Sequence, residues 1–279
     1  MLPTQMSGRL FVVATPLGNL QDLSPRALAT LAQCALIACE DTRRTGALLR
    51  AHDIRTPTTS FFEHNERHKG GQILETLARG DDVALVSDAG TPCISDPGYR
   101  LVRDARARGI PVLPVPGPSA VIAALSVAGL PTDRFLFLGF LPRKPHARRK
   151  LLEELRNERA TLVFYESPQR LLAGLDDVLA VLGERDAFLC REATKLHEEY
   201  VKAPLSELRS RIGSAGLVRG EVVIVVAGAA EASREGELDV VAEFARLQAE
   251  GRTRREAVKQ IAKRLGLPAR DVYSRLVER

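Results

Sequence analysis

The residues best suited to hold a small polar ligand fall in three turn-rich segments, each directly after an apolar run. They are Thr15-Pro16-Leu17-Gly18-Asn19, Ser87-Asp88-Ala89-Gly90-Thr91-Pro92 and Pro116-Gly117-Pro118-Ser119-Ala120. Gly and Ala let a ligand approach backbone groups closely, and Asp88 offers a carboxylate to a hydroxyl or an amine. Loops at the carboxyl ends of parallel strands line the ligand crevice of α/β sheets. One such turn is most simply a connection; three in one half of the chain point to binding. A GxGxxG after the first strand, a GxxxxGK[ST] and a GxSxG elbow are all absent from the sequence.

These loops need strands to carry them and helices to cover the strands. Apolar runs bounded by turn residues predict strands over 10–14, 36–39, 83–86, 112–115, 134–138, 161–165, 187–191 and 222–226. Ser24-Pro25 starts a helix, with Ser as cap and Pro in the first turn. Further helices are expected over 42–49, 72–78, 99–108, 119–127, 147–155 and 171–182. The alternation implies an α/β fold with a mostly parallel sheet covered on both faces. The domains expected are 1–117, a second α/β unit of similar size over 118–230, and a helical tail over 231–279. In that tail 231–237 reads as a linker and 239–248 as an amphipathic helix. Two shorter helices around Gly266-Leu267-Pro268 then form a helix-turn-helix pattern.

Charge is unevenly spread over the 279 residues. The whole chain carries +5, but 251–279 holds nine Lys/Arg against three acids, so that tail is +6 and the rest −1. A second run, Arg143-Lys144-Pro145-His146-Ala147-Arg148-Arg149-Lys150, contains no acid. Basic patches on a near-neutral body suit a polyanion, through counterion release; solvated faces are the plain alternative. The four cysteines form no CxxC pair, and Cys34, Cys39 and Cys190 sit among apolar residues, as small buried hydrophobes do. The longest apolar stretches are too short for a membrane helix, and the N-terminus lacks a signal-peptide layout. Cytoplasm is the expected compartment.

Six motifs occur in order: 10–20 (LFVVATPLGNL), 39–42 (CEDT), 87–98 (SDAGTPCISDPG), 116–120 (PGPSA), 164–170 (FYESPQR) and 191–199 (REATKLHEE). Together they resemble the bacterial 16S ribosomal RNA (cytidine 2′-O)-methyltransferases, a family with the two-domain tetrapyrrole (corrin/porphyrin) methylase-like fold. The resemblance implies S-adenosyl-L-methionine (SAM) in a cleft between the two halves. Asp88, Ala89, Gly90 and Ile94 would border it from the first half, and Ser119, Ala120, Phe164 and Tyr165 from the second. It further implies a homodimer that methylates a cytidine ribose in the decoding region of the small ribosomal subunit.

In that reaction a ribose oxygen displaces an activated leaving group, so positioning and water exclusion supply much of the rate. A proton acceptor or a nearby cation helps the hydroxyl further. Glu192, Lys195, His197 and Glu198 are the candidates; salt bridges closing the domain interface are the equal alternative. Lys195 would stabilise the alkoxide, or act as base if desolvation lowers its pKa. Expected RNA contacts are Asp41, Arg43 and Arg44, which equally form a helix cap, then His64, the basic-run residues Arg143, Lys144 and Arg148, and Arg254 and Arg255 in the tail. His64 and His68 stand four apart, but the segment is not HExxH, and no metal is expected. Tyr165 and Phe164 suit stacking on a base or core packing alike. A small-molecule methylase of the same fold is one rival, with little use for the tail. A SAM-sensing DNA-binding regulator is another.

Overall fold

The computed structural model describes residues 7–214, 220–230, 240–265 and 268–277. The chain forms two compact units, Met1–Gly228 and Ala229–Arg279.

The first unit begins with five strands, β1 (Leu10–Val13), β2 (Leu36–Cys39), β3 (Thr58–Ser60), β4 (Val83–Val86) and β5 (Val112–Val115). They form one wholly parallel sheet in the order β3-β2-β4-β1-β5. Parallel strands require crossovers, supplied here by helices α1 (Pro25–Gln33), α2 (Thr42–Ala51), α3 (Glu66–Ala78) and α4 (Tyr99–Ala107). Ser24 caps α1, its Oγ accepting from the Ala27 N–H at 3.1 Å, and Gly109 stops α4 with φ +72°. Successive strand residues face opposite sides. Thus Leu10, Ala38, Leu85 and Val112 pack under α3 and α4, while Val13, Ile37, Cys39 and Val86 pack with Leu31 and Leu49 on the other face.

The second half of this unit runs α5 (Ala120–Ala128), β6 (Phe135–Phe140), α6 (Pro145–Glu154), β7 (Thr161–Glu166), α7 (Leu171–Leu182), β8 (Asp186–Arg191), β9 (Glu199–Pro204), α8 (Leu205–Ser214) and β10 (Val222–Val226). Its sheet has the order β6-β7-β10-β8-β9. Only β6 and β7 pair in parallel; β10 runs antiparallel to both β7 and β8, and β8 and β9 form an antiparallel pair. The mostly parallel sheet expected from the alternation in the first half is found there, whereas the second α/β unit pairs mostly antiparallel. Apolar runs between helices report burial, not chain direction. The polar edge strand β9, with a single buried residue on it, gives no periodic apolar signal.

The unit Ala229–Arg279 contains α9 (Val240–Ala249), α10 (Arg254–Leu265) and α11 (Ala269–Val277). Val240, Leu247, Ala257, Val258, Ile261, Ala262 and Val272 give it a core of its own. Thr253 and Glu256 form a reciprocal cap on α10: the Thr253 N–H donates to Oε2 at 2.9 Å, and the Glu256 N–H to Oγ1 at 3.4 Å. The expected linker at 231–237 and the turn residues Gly266 and Leu267 lie outside the described residues. Among the described residues no helix is long and apolar enough to cross a membrane.

Candidate active site

A cavity of about 310 Å³ opens where the loops after β1 and β4 and the start of α5 meet the carboxyl end of β7 and the amino end of β10. Because β10 runs against β7, its first residues reach the same rim as β7's last. The loops brace one another. Thr15 and Gly90 exchange backbone hydrogen bonds of 2.9 and 3.0 Å, and the Thr91 hydroxyl donates to the Pro118 carbonyl at 3.0 Å. Gly90 has φ +80°, a conformation that side chains disfavour.

Of the eight residues expected at a cofactor, Asp88, Ala89, Gly90, Ile94, Ser119, Ala120 and Tyr165 line this cavity. Phe164 does not. It is 1% exposed and packs with Leu141, Leu162 and Ile224, because the strand pleat that turns Tyr165 to the cavity turns its neighbour to the core. Phe140 takes the second aromatic place. On β6, Phe137 pairs with Val163 and Phe140 with Tyr165, so three residues advance on one strand against two on the other. This bulge, with Gly139 at φ +63°, brings Phe140 to 5.4 Å from the Tyr165 ring.

The cavity also holds acids that the motifs did not single out. Asp96 lies half-buried on the wall, and its carboxyl is pushed up to about 7 by burial first and then by Glu40, with Asp88 and Glu221 adding to the shift. Glu166 is buried and paired with Arg170 at 2.7 Å, a structural tie at the end of β7. The Asp88 carboxylate accepts from the Asp41 N–H at 3.0 Å and pairs with Arg44 at 3.2 Å.

Glu192, Lys195, His197 and Glu198 occupy the loop between β8 and β9, and they separate into different roles. Lys195 Nζ lies 2.8 Å from Glu192 Oε1 and 3.3 Å from Oε2 of Glu221, which lines the cavity. Partial burial works to lower the Lys195 pKa, but its bond to Glu192 and the charge of Glu221 win, and the pKa is raised. Lys195 is thus held as a cation, which removes it as a base. Burial likewise opposes ionisation of Glu192, yet Lys195 and the Glu221 N–H keep that carboxyl below its ordinary value. Glu198 braces the loop instead: its Oε2 accepts from the Thr194 N–H and the Tyr200 hydroxyl, each at 2.9 Å. His197 is exposed. Four non-glycine residues with positive φ, Cys93, Ser95, Glu192 and Thr194, fall in this loop and the Asp96 loop. Strain of this kind persists where surrounding structure over-determines it.

Residues 9–209 match the family model for tetrapyrrole (corrin/porphyrin) methylases. The chain belongs to this family. Among curated relatives of this methylase, the ribosomal RNA small subunit methyltransferase I of Pseudomonas aeruginosa is 52% identical, with 86% of each chain covered. The protein of that name from Halalkalibacterium halodurans is 45% identical over 96% of this chain and 94% of its own. That from Thermotoga maritima is 47% identical over 79% of this chain and 99% of its own. Two solved structures share the methylase fold. Uroporphyrin-III-C-methyltransferase from Thermus thermophilus has a TM-score of 0.56 at 23% identity, covering 78% of this chain and 94% of that one. The methyltransferase CobJ has a TM-score of 0.60 at 21% identity, covering 80% and 95%.

The methylase's expected RNA contacts differ in exposure and in partners. Asp41 caps α2, its side chain bonding the Arg43 N–H at 2.8 Å, and Arg43 folds back on Asp41 with an ion pair of 2.8 Å. Arg44 reaches Asp88, so this cluster is a helix cap whose Arg44 also anchors a cavity residue. His64 is exposed beside Phe62 at 6.4 Å, and His68 faces Gln72 at 3.4 Å. Arg143 and Lys144 are exposed ahead of α6. Arg148 requires a correction: it is 3% exposed, pairs with Asp177 at 2.5 Å and donates to the Pro142 carbonyl at 3.3 Å. Its place on the inner face of α6 makes it a buried tie to α7 and not an RNA contact. In the second unit Arg254 and Arg255 are exposed, Arg254 over the Tyr273 ring at 5.9 Å.

Proposed function

We propose that the protein transfers the methyl group of SAM to the ribose 2′-hydroxyl of a cytidine in the decoding region of 16S ribosomal RNA. The names of the relatives supply the substrate class, and the resemblance of the six motifs supplies the ribose and the cytidine. The observation that carries the chemistry is Asp96, half-buried in the cavity wall and coupled through Glu221 to the Lys195 ammonium.

The cavity suits the cofactor. Its volume falls in the range of about 300–1,000 Å³ usual for small-molecule sites. Ala89, Gly90 and Ala120 permit close backbone approach, while Phe140 and Tyr165 offer an aromatic wall for adenine. Bound SAM supplies a methyl on a sulfonium, an activated leaving group. Asp96 accepts the proton from the ribose hydroxyl, a task matched to a carboxyl titrating near neutrality. Lys195, kept charged by Glu192 and Glu221, favours the oxygen as it gains negative charge.

The halves 1–117 and 118–230 act together on the cofactor. Arg143, Lys144, Arg254 and Arg255 contribute phosphate contacts, His64 a further polar one, and Asp41 with Arg43 and Arg44 shapes the rim. The working form is a cytoplasmic homodimer, as in the family resemblance, and needs no metal.

The deciding experiment is methyl transfer from radiolabelled SAM to small ribosomal subunits lacking the modification, beside free rRNA and a tetrapyrrole precursor. Label recovered as 2′-O-methylcytidine is expected. Absence of label from every RNA, with SAM still binding, would overturn the proposal.

A further inference from the structure

A second concavity, of about 330 Å³, lies between α3 and α4 on the first sheet. Its floor includes Gly70 and Gly71, in the interior of a 13-residue helix. Helix interiors disfavour glycine more than any residue except proline. A Cβ at either position would meet nothing within 4 Å, so no neighbour among the described residues requires them. Gly70 is buried and Gly71 half-buried, and the side chains they lack leave the floor of the groove low.

The rim is basic. Arg67, Arg100 and Arg103 border the groove, against Glu66 and Asp104. Glu66 is turned inward: its side chain is only 11% exposed, and Oε1 accepts from the Gly98 N–H at 3.2 Å. Asp104 pairs with Arg103 at 2.7 Å, which leaves that arginine 58% exposed, and Arg100 lies 3.9 Å from Glu66 Oε2 while 49% exposed, so Arg67 adds the net positive charge of the rim. Tyr99, at 68% exposure, stands directly before Arg100 at the head of α4. Arginines beside an exposed aromatic ring suit single-stranded nucleic acid, where cations track phosphates and a ring stacks on a base. The groove is also tied to the active-site loop, since the Gly98 N–H, two residues after Asp96, is bonded to the groove's Glu66.

We infer that this groove holds the phosphodiester backbone of the RNA strand leaving the active cavity, with Arg67, Arg100 and Arg103 on phosphates and Tyr99 under a base. This rests on the RNA reading above and extends it to a face that the charge pattern of the sequence did not mark.

The test compares the wild-type protein with the triple variant Arg67→Gln/Arg100→Gln/Arg103→Gln and with Tyr99→Ala, using a short single-stranded RNA in a salt series. Single-strand contacts contribute a slope of about 0.7 per phosphate neutralised. The triple variant is expected to lose about 2 from the slope of log affinity against log salt, with SAM affinity and helical circular dichroism unchanged. Tyr99→Ala is expected to weaken binding by about 10-fold at an unaltered slope. An unchanged slope in the folded triple variant overturns the inference, as does a wild-type protein that binds no RNA. If the triple variant instead keeps its slope and dissociates in sedimentation, the groove seats a second copy of the chain and the inference falls. A wild-type protein that shows the groove-dependent slope yet methylates no subunit keeps the groove and sinks the proposed reaction.

Discussion

Lys195 lies across Gly18: a Cβ at position 18 would sit 2.2 Å from the Cγ of the lysine. The glycine of the first turn-rich loop is therefore the gap through which the lysine of a distant loop reaches Glu221. A hydrogen bond of 3.2 Å from the Asn19 N–H to Thr194 Oγ1 holds the two loops together beside it. Gly18→Ala is expected to push the ammonium aside and lower single-turnover rates by about 10²-fold, the scale on which small misplacements act. SAM affinity, measured by calorimetry, stays near wild type. Equal losses in both would remove Lys195 from the reaction.

Asp96→Asn is expected to cost about 10²–10⁴-fold in turnover, the usual contribution of a general base. In the wild-type protein the rate rises with pH through about 7, as the carboxylate forms, and the variant lacks that limb. Stability moves the other way. A carboxyl raised from 3.8 to about 7 on folding holds extra protons in the folded state, so stability falls as pH climbs between those values. The asparagine variant escapes that loss and is expected to melt higher than wild type above pH 7, as thermal scans at pH 5 and pH 8 would show.

Arg148→Ala leaves Asp177 buried with only Arg149, whose own side chain is largely exposed, as its partner. Breaking a buried pair from one side costs about 3–5 kcal/mol, and the remaining arginine places the expected loss near the lower figure. Denaturant titration measures it. The salt slope of RNA binding is unaffected in the folded fraction, whereas Arg143→Ala/Lys144→Ala reduces that slope and leaves stability alone.

Phe140→Ala and Phe164→Ala separate the two faces of the second sheet. Loss of Phe164 empties a core position and is expected to cost about 3–5 kcal/mol. Loss of the exposed Phe140 leaves the melting temperature within a few degrees of wild type and weakens SAM binding by about 10-fold. A stability loss at Phe140 as large as that at Phe164 would show that the bulge, and not the aromatic wall, is what the residue serves.

Local chemistry was legible from the residues alone. Ser24-Pro25 announced α1, Gly109 ended α4, and the three turn-rich loops do converge on one cavity. What escaped is what depends on partners remote in sequence. Asp96 is unremarkable until Glu40 and Glu221 are folded toward it, and Arg148 looks like its basic neighbours until Asp177, 29 residues on, is seen to claim it. Tyr165 and Phe164 were equal candidates because a stacking residue and a core residue have the same composition; the pleat alone divides them. Strand β10 read correctly as a strand, but no feature of Val222–Val226 tells which way it enters the sheet.

The three terminal helices bury their own apolar residues, and this makes them a cassette in the evolutionary sense. A segment with a private core does not depend on the rest of the chain to bury its own apolar residues. The Thermotoga maritima relative, whose match takes in 79% of this chain and 99% of its own length, is correspondingly shorter.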